Sequence, residues 1–266
     1  MTEQEYRAAE GVSRSQLWRL HEGSPEKFMY AEEHPEEPTP ALVFGQMVHK
    51  LILEPETFND EFAVAPDVDR RTKDGKAAWA LFAEMNEGKT IVKAEDYDTA
   101  CGMRNALLAN DLITKLLSGK HEVPLFWTDE LTGEKCKVRL DCFTPLSDKV
   151  LIVDYKSTND AGTEPFIRSA INYGYDFQAA MYTEAVRRVM DQEAVFIFIA
   201  QEKEPPYAVN VLAADQLLVQ RGYDIFRELL GIYHECKTSG NWYGYLGPQN
   251  QINVLGLPAY LAKELQ

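Results

Sequence analysis

What this chain lacks narrows its function first. No apolar run approaches the roughly 20 residues that a helix needs to cross a bilayer. The longest, 194–200 (Ala-Val-Phe-Ile-Phe-Ile-Ala), has about seven. The four cysteines, Cys101, Cys136, Cys142 and Cys236, are too few for a disulfide scaffold in 266 residues, and no CxxC pair occurs. Positive charge is scarce: 27 Lys and Arg stand against 42 Asp and Glu, a net charge of −15. Phosphate neutralisation supplies most non-specific affinity for nucleic acid, so an open DNA-coating surface is excluded, but a local basic channel inside an acidic body is not. Repeats and low-complexity tracts are absent. So are the GxGxxG and GxxxxGK loops that would support a phosphate-binding metabolic α/β enzyme. The opening Met1-Thr2-Glu3-Gln4-Glu5 has neither the basic nor the apolar region of a signal peptide. The expectation is a cytoplasmic protein with reduced thiols and no membrane partner.

The composition that is present is globular, with 45% hydrophobic, 11% aromatic and 26% charged residues. Ser13 with Gln16 forms a capping-box start to a helix, and 25–30 reads as a second. Residues 32–40, with three prolines and four glutamates, break the pattern. Helical periodicity resumes over 41–53, 76–87 and 95–117. From 120 onward the period shortens to two. Strands are expected at 122–127, 135–143 and 150–156, with a Pro-Leu-Ser-Asp turn between the last two. One or two helices over 164–190 follow, then a fully buried strand at 194–200, a paired strand at 207–212 and a long amphipathic helix over 215–236. We expect a single α/β domain over 1–266: an α-rich part (1–120), a catalytic α/β core (121–240) and an irregular tail (241–266).

The chemistry concentrates in Arg139-Leu140-Asp141 and Val153-Asp154-Tyr155-Lys156. Residues two apart on a strand share a face, so Asp154 and Lys156 point the same way, and a hairpin can set Asp141 beside Asp154. Two adjacent carboxylates repel unless one is protonated or a hard divalent cation such as Mg²⁺ or Mn²⁺ lies between them. Lys156 could then orient or deprotonate a water. The plainer alternative is a cross-strand ion-pair group of Asp141, Asp154, Arg139 and Lys156. Gln178 and Tyr182 lie one turn apart on a helix that follows the Asp154 strand. Gly45 sits one turn before His49 inside a helix, which suggests close backbone packing on that face. His49 is either a core histidine or a metal ligand. Arg70-Arg71-x-Lys73-x-x-Lys76 is the best basic cluster, though Asp67, Asp69 and Asp74 interleave with it, so a solvated loop remains the alternative to a phosphate-contacting one.

The ordered series Gly45…His49, Asp141, Asp154-x-Lys156 and Gln178-x-x-x-Tyr182 resembles the PD-(D/E)XK nuclease superfamily in its RecB/lambda-exonuclease branch. More closely it resembles the C-terminal nuclease family of RecE (exonuclease VIII). Supporting stretches include Gly11-Val12-Ser13-Arg14-Ser15-Gln16-Leu17, Leu51-Ile52-Leu53-Glu54-Pro55-Glu56-Thr57-Phe58 and Asp154-Tyr155-Lys156-Ser157-Thr158. The resemblance implies a central mixed β-sheet flanked by helices. It also implies an Mg²⁺-dependent exonuclease, with Mn²⁺ able to substitute, that degrades the 5′-ended strand of linear double-stranded DNA. The 3′ tails so made would pass to a RecT-like single-strand annealing protein. By analogy His49, Asp141, Asp154 and the Tyr155 carbonyl are metal ligands, Lys156 and Gln178 complete the catalytic group, and Arg70, Arg71, Lys73 and Lys76 contact DNA. Glu122, Tyr182 and Arg139 are secondary candidates. A ring-shaped homo-oligomer, trimer or tetramer, would reconcile the acidic surface with DNA binding. With only Cys236 near the C-terminus, no iron–sulfur cluster is expected. The alternatives are another repair or Cas4-like nuclease of the superfamily and an inactive DNA-binding module of the same fold.

Overall fold

The computed structural model describes residues 1–257, so the last part of the tail expected at 241–266 lies outside the described residues. The architecture is a central mixed sheet with helices on both faces, as expected. Its strands are β1 (Val12–Ser13), β4 (Lys120–Thr128), β5 (Lys135–Pro145), β6 (Lys149–Thr158), β7 (Glu193–Glu202) and β8 (Val209–Ala213). A separate parallel pair, β2 (Phe62–Val64) and β3 (Thr90–Val92), stands beside it.

Sheet order explains the position of the site. One edge of β5 pairs antiparallel with β4. Its other edge is shared: Cys136 and Lys137 pair with β1, and residues from Cys142 to Pro145 pair with β6. The β5–β6 ladder therefore stops at Cys142–Val153, where Asp141 and Asp154 come next. Beyond that point β6 keeps its parallel partner β7 as far as Thr158–Glu202 but has lost β5. The Tyr155 N–H, which a continuing ladder would have bonded, instead donates to Asp141 Oδ2 at 3.0 Å. A buried amide needs a partner, and here it finds a carboxylate.

Two cores sandwich the sheet. On one face Val150, Ile152, Phe196 and Phe198 pack with α2 (Arg14–Glu22), α3 (Pro25–Glu33), α10 (Tyr175–Met190) and α11 (Gln216–Ser239). On the other, Val153, Tyr155 and Ile199 pack with α4 (Pro40–Leu53), α7 (Ala94–Leu108) and α8 (Asp111–Leu116). This explains why β7 reads as a continuous apolar run: alternate side chains serve opposite cores. Truncating Phe196 or Phe198, both almost fully buried, to Ala would cost about 3–5 kcal/mol.

The helices start where their caps place them. Ser13 and Gln16 form the expected capping box of α2, Thr39 caps α4 with Pro40 in its first turn, and Asp215 caps α11. The crossover from β6 to β7 contains two helices, α9 (Thr163–Asn172) and α10. Gly174 ends the link between them at φ +65°, where a Cβ would lie 2.4 Å from the Trp18 ring. Only glycine fits there, and it starts α10 at the depth that brings Gln178 to β6. Of the remaining helices, α5 (Phe58–Glu61) sends Phe58 into the second core, while α1 (Glu3–Ala8) and α6 (Lys73–Met85) lie toward the periphery, and no residue of α1 is buried.

Candidate active site

His49, in the last turns of α4, reaches both β5 and β4. Its Nε2 lies 2.9 Å from Asp141 Oδ2 and its Nδ1 3.4 Å from Glu122 Oε1. One ligand atom from each of His49, Glu122 and Asp141 falls within 4.8 Å of the others. Glu122 reaches this position through an irregularity. The β4–β5 register runs from Lys120–Phe143 to Thr128–Lys135 and is broken only between His121–Cys142 and Val123–Leu140. At that break Glu122 adopts φ +52°, a left-handed conformation unusual for a residue with a side chain. The irregularity aims Glu122 at the same point as Asp141.

Asp154 stands next to this cluster but is engaged elsewhere. Its side chain is fully buried. Lys156 Nζ lies 2.5 Å from Oδ2, and Gln178 Nε2 donates to Oδ1 at 2.5 Å. Lys156 also lies over the Tyr175 ring, 5.0 Å from its centroid. Tyr155 points to the opposite face, where its hydroxyl donates to Gln201 Oε1 at 2.8 Å. Tyr182 is buried on α10, one turn beyond Gln178. Arg139 binds three carboxylates: Glu122 at 2.6 Å, Glu3 at 2.9 Å and Glu54 at 3.6 Å.

The electrostatics are unbalanced. Burial and the neighbouring Asp141 charge hold the Asp154 carboxyl above its ordinary range, and Lys156 offsets only part of this. Burial and Asp141 likewise push Glu122 upward against the pull of His49 and Arg139. Burial would raise Asp141 too, but His49, Lys156 and the Tyr155 N–H outweigh it and bring it down. Burial opposes the charged form of His49, yet Asp141 and Glu122 carry it up to about 9. Lys156 is held charged, despite its burial, by Asp154 and Asp141. Carboxyl and cationic groups with opposed shifts, gathered at the open end of a strand pair, form a site in which acids outnumber cations. The donors, two carboxylates and an imidazole, suit a hard divalent cation.

His49, Glu122 and Lys156 open onto a cleft of about 1180 Å³, lined also by α1, α4, the β2–β3 pair and Arg139, with Asp141 and Asp154 buried behind it. Gly45 also lines it, and a Cβ there would meet nothing within 4 Å. The close packing expected at Gly45 is therefore absent; the glycine keeps the cleft wall low one turn before His49. Arg70, Arg71, Lys73 and Lys76 are not among the described residues lining the cleft. Arg70 stacks over Trp79 at 4.0 Å and Arg71 pairs with Asp69 at 2.9 Å, both at the surface. Sequence reasoning missed Glu3 and Glu54. The one available signal was the alternation Lys135, Lys137, Arg139, a row of cations that needs carboxylates opposite it.

A family model described as a PDDEXK-like domain of unknown function (DUF3799) matches residues 13–252. No curated protein matches the chain. Among solved structures, one from Eubacterium rectale described as a "Putative exonuclease" is similar over 99% of this chain and 97% of its own, with a TM-score of 0.64 at 15% identity. At that identity the likeness concerns the fold. The structure of SSO0001 is similar over 78% of this chain and 96% of its own at 12% identity, but its TM-score of 0.30 carries no argument.

Proposed function

We propose that this chain, which belongs to the PDDEXK-like family DUF3799, is a divalent-metal-dependent exodeoxyribonuclease acting on linear double-stranded DNA. The observation that carries this reading is the convergence of His49, Glu122 and Asp141 within 4.8 Å, beside the buried Asp154–Lys156 pair. His49, Glu122 and Asp141, joined by Asp154 and the Tyr155 carbonyl, would hold Mg²⁺, for which Mn²⁺ would substitute. When bound, the cation supplies the positive charge that the developing phosphorane oxygens require and makes an attacking water more acidic. The chain's own residues do the rest. Lys156 orients the attacking water and shields its charge. Gln178 fixes the Asp154 carboxylate, so that Lys156 has a single position.

Attack on the 5′-ended strand, the leaving of 3′ tails and their transfer to a single-strand annealing protein rest on the sequence resemblance to the RecE family. So does assembly into a trimeric or tetrameric ring, which would enclose DNA within an acidic exterior. The test is linear duplex DNA labelled separately at its 5′ and 3′ ends, incubated with Mg²⁺ or with EDTA. Early release of the 5′ label with Mg²⁺ alone is expected. Retention of both labels on blunt and tailed ends would leave a DNA-binding module as the reading.

A further inference from the structure

We propose that Glu3, on the N-terminal helix α1, is a positioning residue for the candidate metal centre, acting through Arg139 on Glu122. This rests on the metal-site reading above. Three residues on one face of β5, Lys135, Lys137 and Arg139, hold α1 and the turn after it. Lys135 pairs with Glu10 at 2.5 Å. Lys137 Nζ donates to the carbonyls of Tyr6, Arg7 and Ala9 at 3.1, 2.9 and 2.6 Å. Arg139 Nη1 donates to Glu3 Oε2 at 2.9 Å. The helix itself buries no residue, so it contributes little to the core; besides these polar bonds, the half-buried Tyr6 ring packs on the sheet, its centroid 6.1 Å from that of Phe126. Yet its first turn forms part of the cleft wall.

Arg139 needs such an anchor because of its task. Its side chain is only 11% exposed, and Nε meets Glu122 Oε2 at 2.6 Å. That contact turns Glu122 Oε1 toward His49. Regular strand geometry does not fix Glu122, since the β4–β5 ladder is interrupted there at φ +52°. The direction of its carboxylate is therefore set by side-chain partners, and Arg139 is the one that grips it. A long guanidinium held at one end only would swing; Glu3, with Glu54 at 3.6 Å, holds the other end. Removing Glu3 frees Arg139 and also withdraws one negative charge from beside the site. Both effects weaken cation binding.

The experiment measures Mn²⁺ affinity by calorimetry on the full chain, with the melting temperature in EDTA as a second readout. Loss of an outer partner of a metal ligand costs about 10–100-fold in affinity. Glu3 acts one residue further out, so Glu3→Gln should weaken Mn²⁺ binding by about tenfold, with the melting temperature in EDTA unchanged. Glu10→Gln removes a like charge from the same polar attachment, at Lys135 rather than Arg139 and away from the cleft lining, and should leave the affinity unchanged. Equal loss in both variants would reduce the effect to generic charge and overturn the proposal. Unchanged affinity in Glu3→Gln would overturn it too, as would a fall in melting temperature that accounts for the weaker binding. If the unaltered chain binds no Mn²⁺, the metal-site reading itself fails, and that outcome is distinguishable from the other three.

Discussion

The β4–β5 hairpin carries buried acids at both ends, and the two ends treat them in opposite ways. At the turn, Asp129 accepts from the Thr132 amide at 2.9 Å, the Thr132 hydroxyl at 2.8 Å and Arg227 at 2.5 Å. Those donors outweigh its burial and hold it down to about 2. Glu134, next to it, is lowered by Lys237 and His234 despite its burial. At the open end, Glu122 and Asp154 are pushed up, because they face Asp141 with too few donors. The residue types are the same, and the open-end acids lie on β4, on β5 and on β6 beside it. A satisfied acid is a structural part, whereas an acid left short of positive charge is poised for a ligand that brings it.

The sharpest way to break this comparison is to remove one acid from each end. Asp154→Ala and Asp141→Ala should abolish cleavage. In EDTA the melting temperature should hold in Asp154→Ala, where relief of the buried repulsion offsets the lost Lys156 and Gln178 contacts. It should fall in Asp141→Ala, which leaves His49 and the Tyr155 N–H without their partner. Lys156→Ala should keep Mn²⁺ affinity and lose about 10²–10⁴-fold in rate. At the turn the outcome should invert: Asp129→Ala strands Arg227, costs about 1–3 kcal/mol of stability and leaves the rate per folded molecule unchanged. Denaturant melts and initial rates on the same preparations check both arms. A normal rate in Asp154→Ala, or a rate loss without destabilisation in Asp129→Ala, would erase the distinction.

The same contrast gives the two ends opposite pH signs. In EDTA, Asp154 titrates at about 6 against an ordinary 3.8, and Glu122 at about 7 against 4.5. The folded chain then binds more protons than the unfolded one, so these groups lower stability as pH rises from their ordinary values toward neutrality. His49 is raised from 6.5 to about 9; its contribution is full below 6.5 and is lost as pH climbs through 9. Asp129 runs the other way, contributing above 3.8 and failing as pH falls toward 2. The metal-free melting temperature should therefore fall by roughly 2–6 °C between pH 5 and 8. Asp154→Asn should flatten the acid side of that fall, and saturating Mn²⁺ should reverse it. A metal-free profile that rises over this interval would contradict the assigned shifts.

How much of this the sequence could reveal depends on the length scale of each feature. The opposition of Asp141 and Asp154 was legible, because period-two alternation and a turn fix which residues meet. So was the approach of Gln178 to Asp154, since one helix follows that strand. The strands β1, β2 and β3 were not legible: two or three residues carry no period. Glu122 could be ranked only as secondary, because its place in the cluster depends on a broken ladder and a left-handed backbone, which alternation cannot foresee. Gly45 misled for a related reason. A helical glycine signals that space matters there, but not whether the space holds a packed neighbour or an open cleft. Glu3 was hidden by distance, 136 residues from its partner Arg139.

The smallest expected effect tests whether the comparison extends beyond the hairpin to the basic loop before α6. Arg70 and Arg71 open the basic cluster that also holds Lys73 and Lys76, yet Arg70 lies against Trp79 and Arg71 is bound to Asp69, away from the cleft lining. If DNA runs from the cleft past β3 onto this loop, both guanidinium groups would exchange these surface partners for phosphates. The exchange is inexpensive, because an exposed ion pair is worth little. Neutralising both with Gln should then weaken duplex binding and lower the slope of log K against log salt by roughly one unit for each phosphate no longer neutralised. Mn²⁺ affinity and melting temperature should not move, since neither residue touches the His49–Glu122–Asp141 cluster or the core. A slope equal to that of the unaltered chain would assign the phosphate-binding role to the cleft's own cations. The loop would then join the turn end of the hairpin, as charge that is already satisfied where it stands.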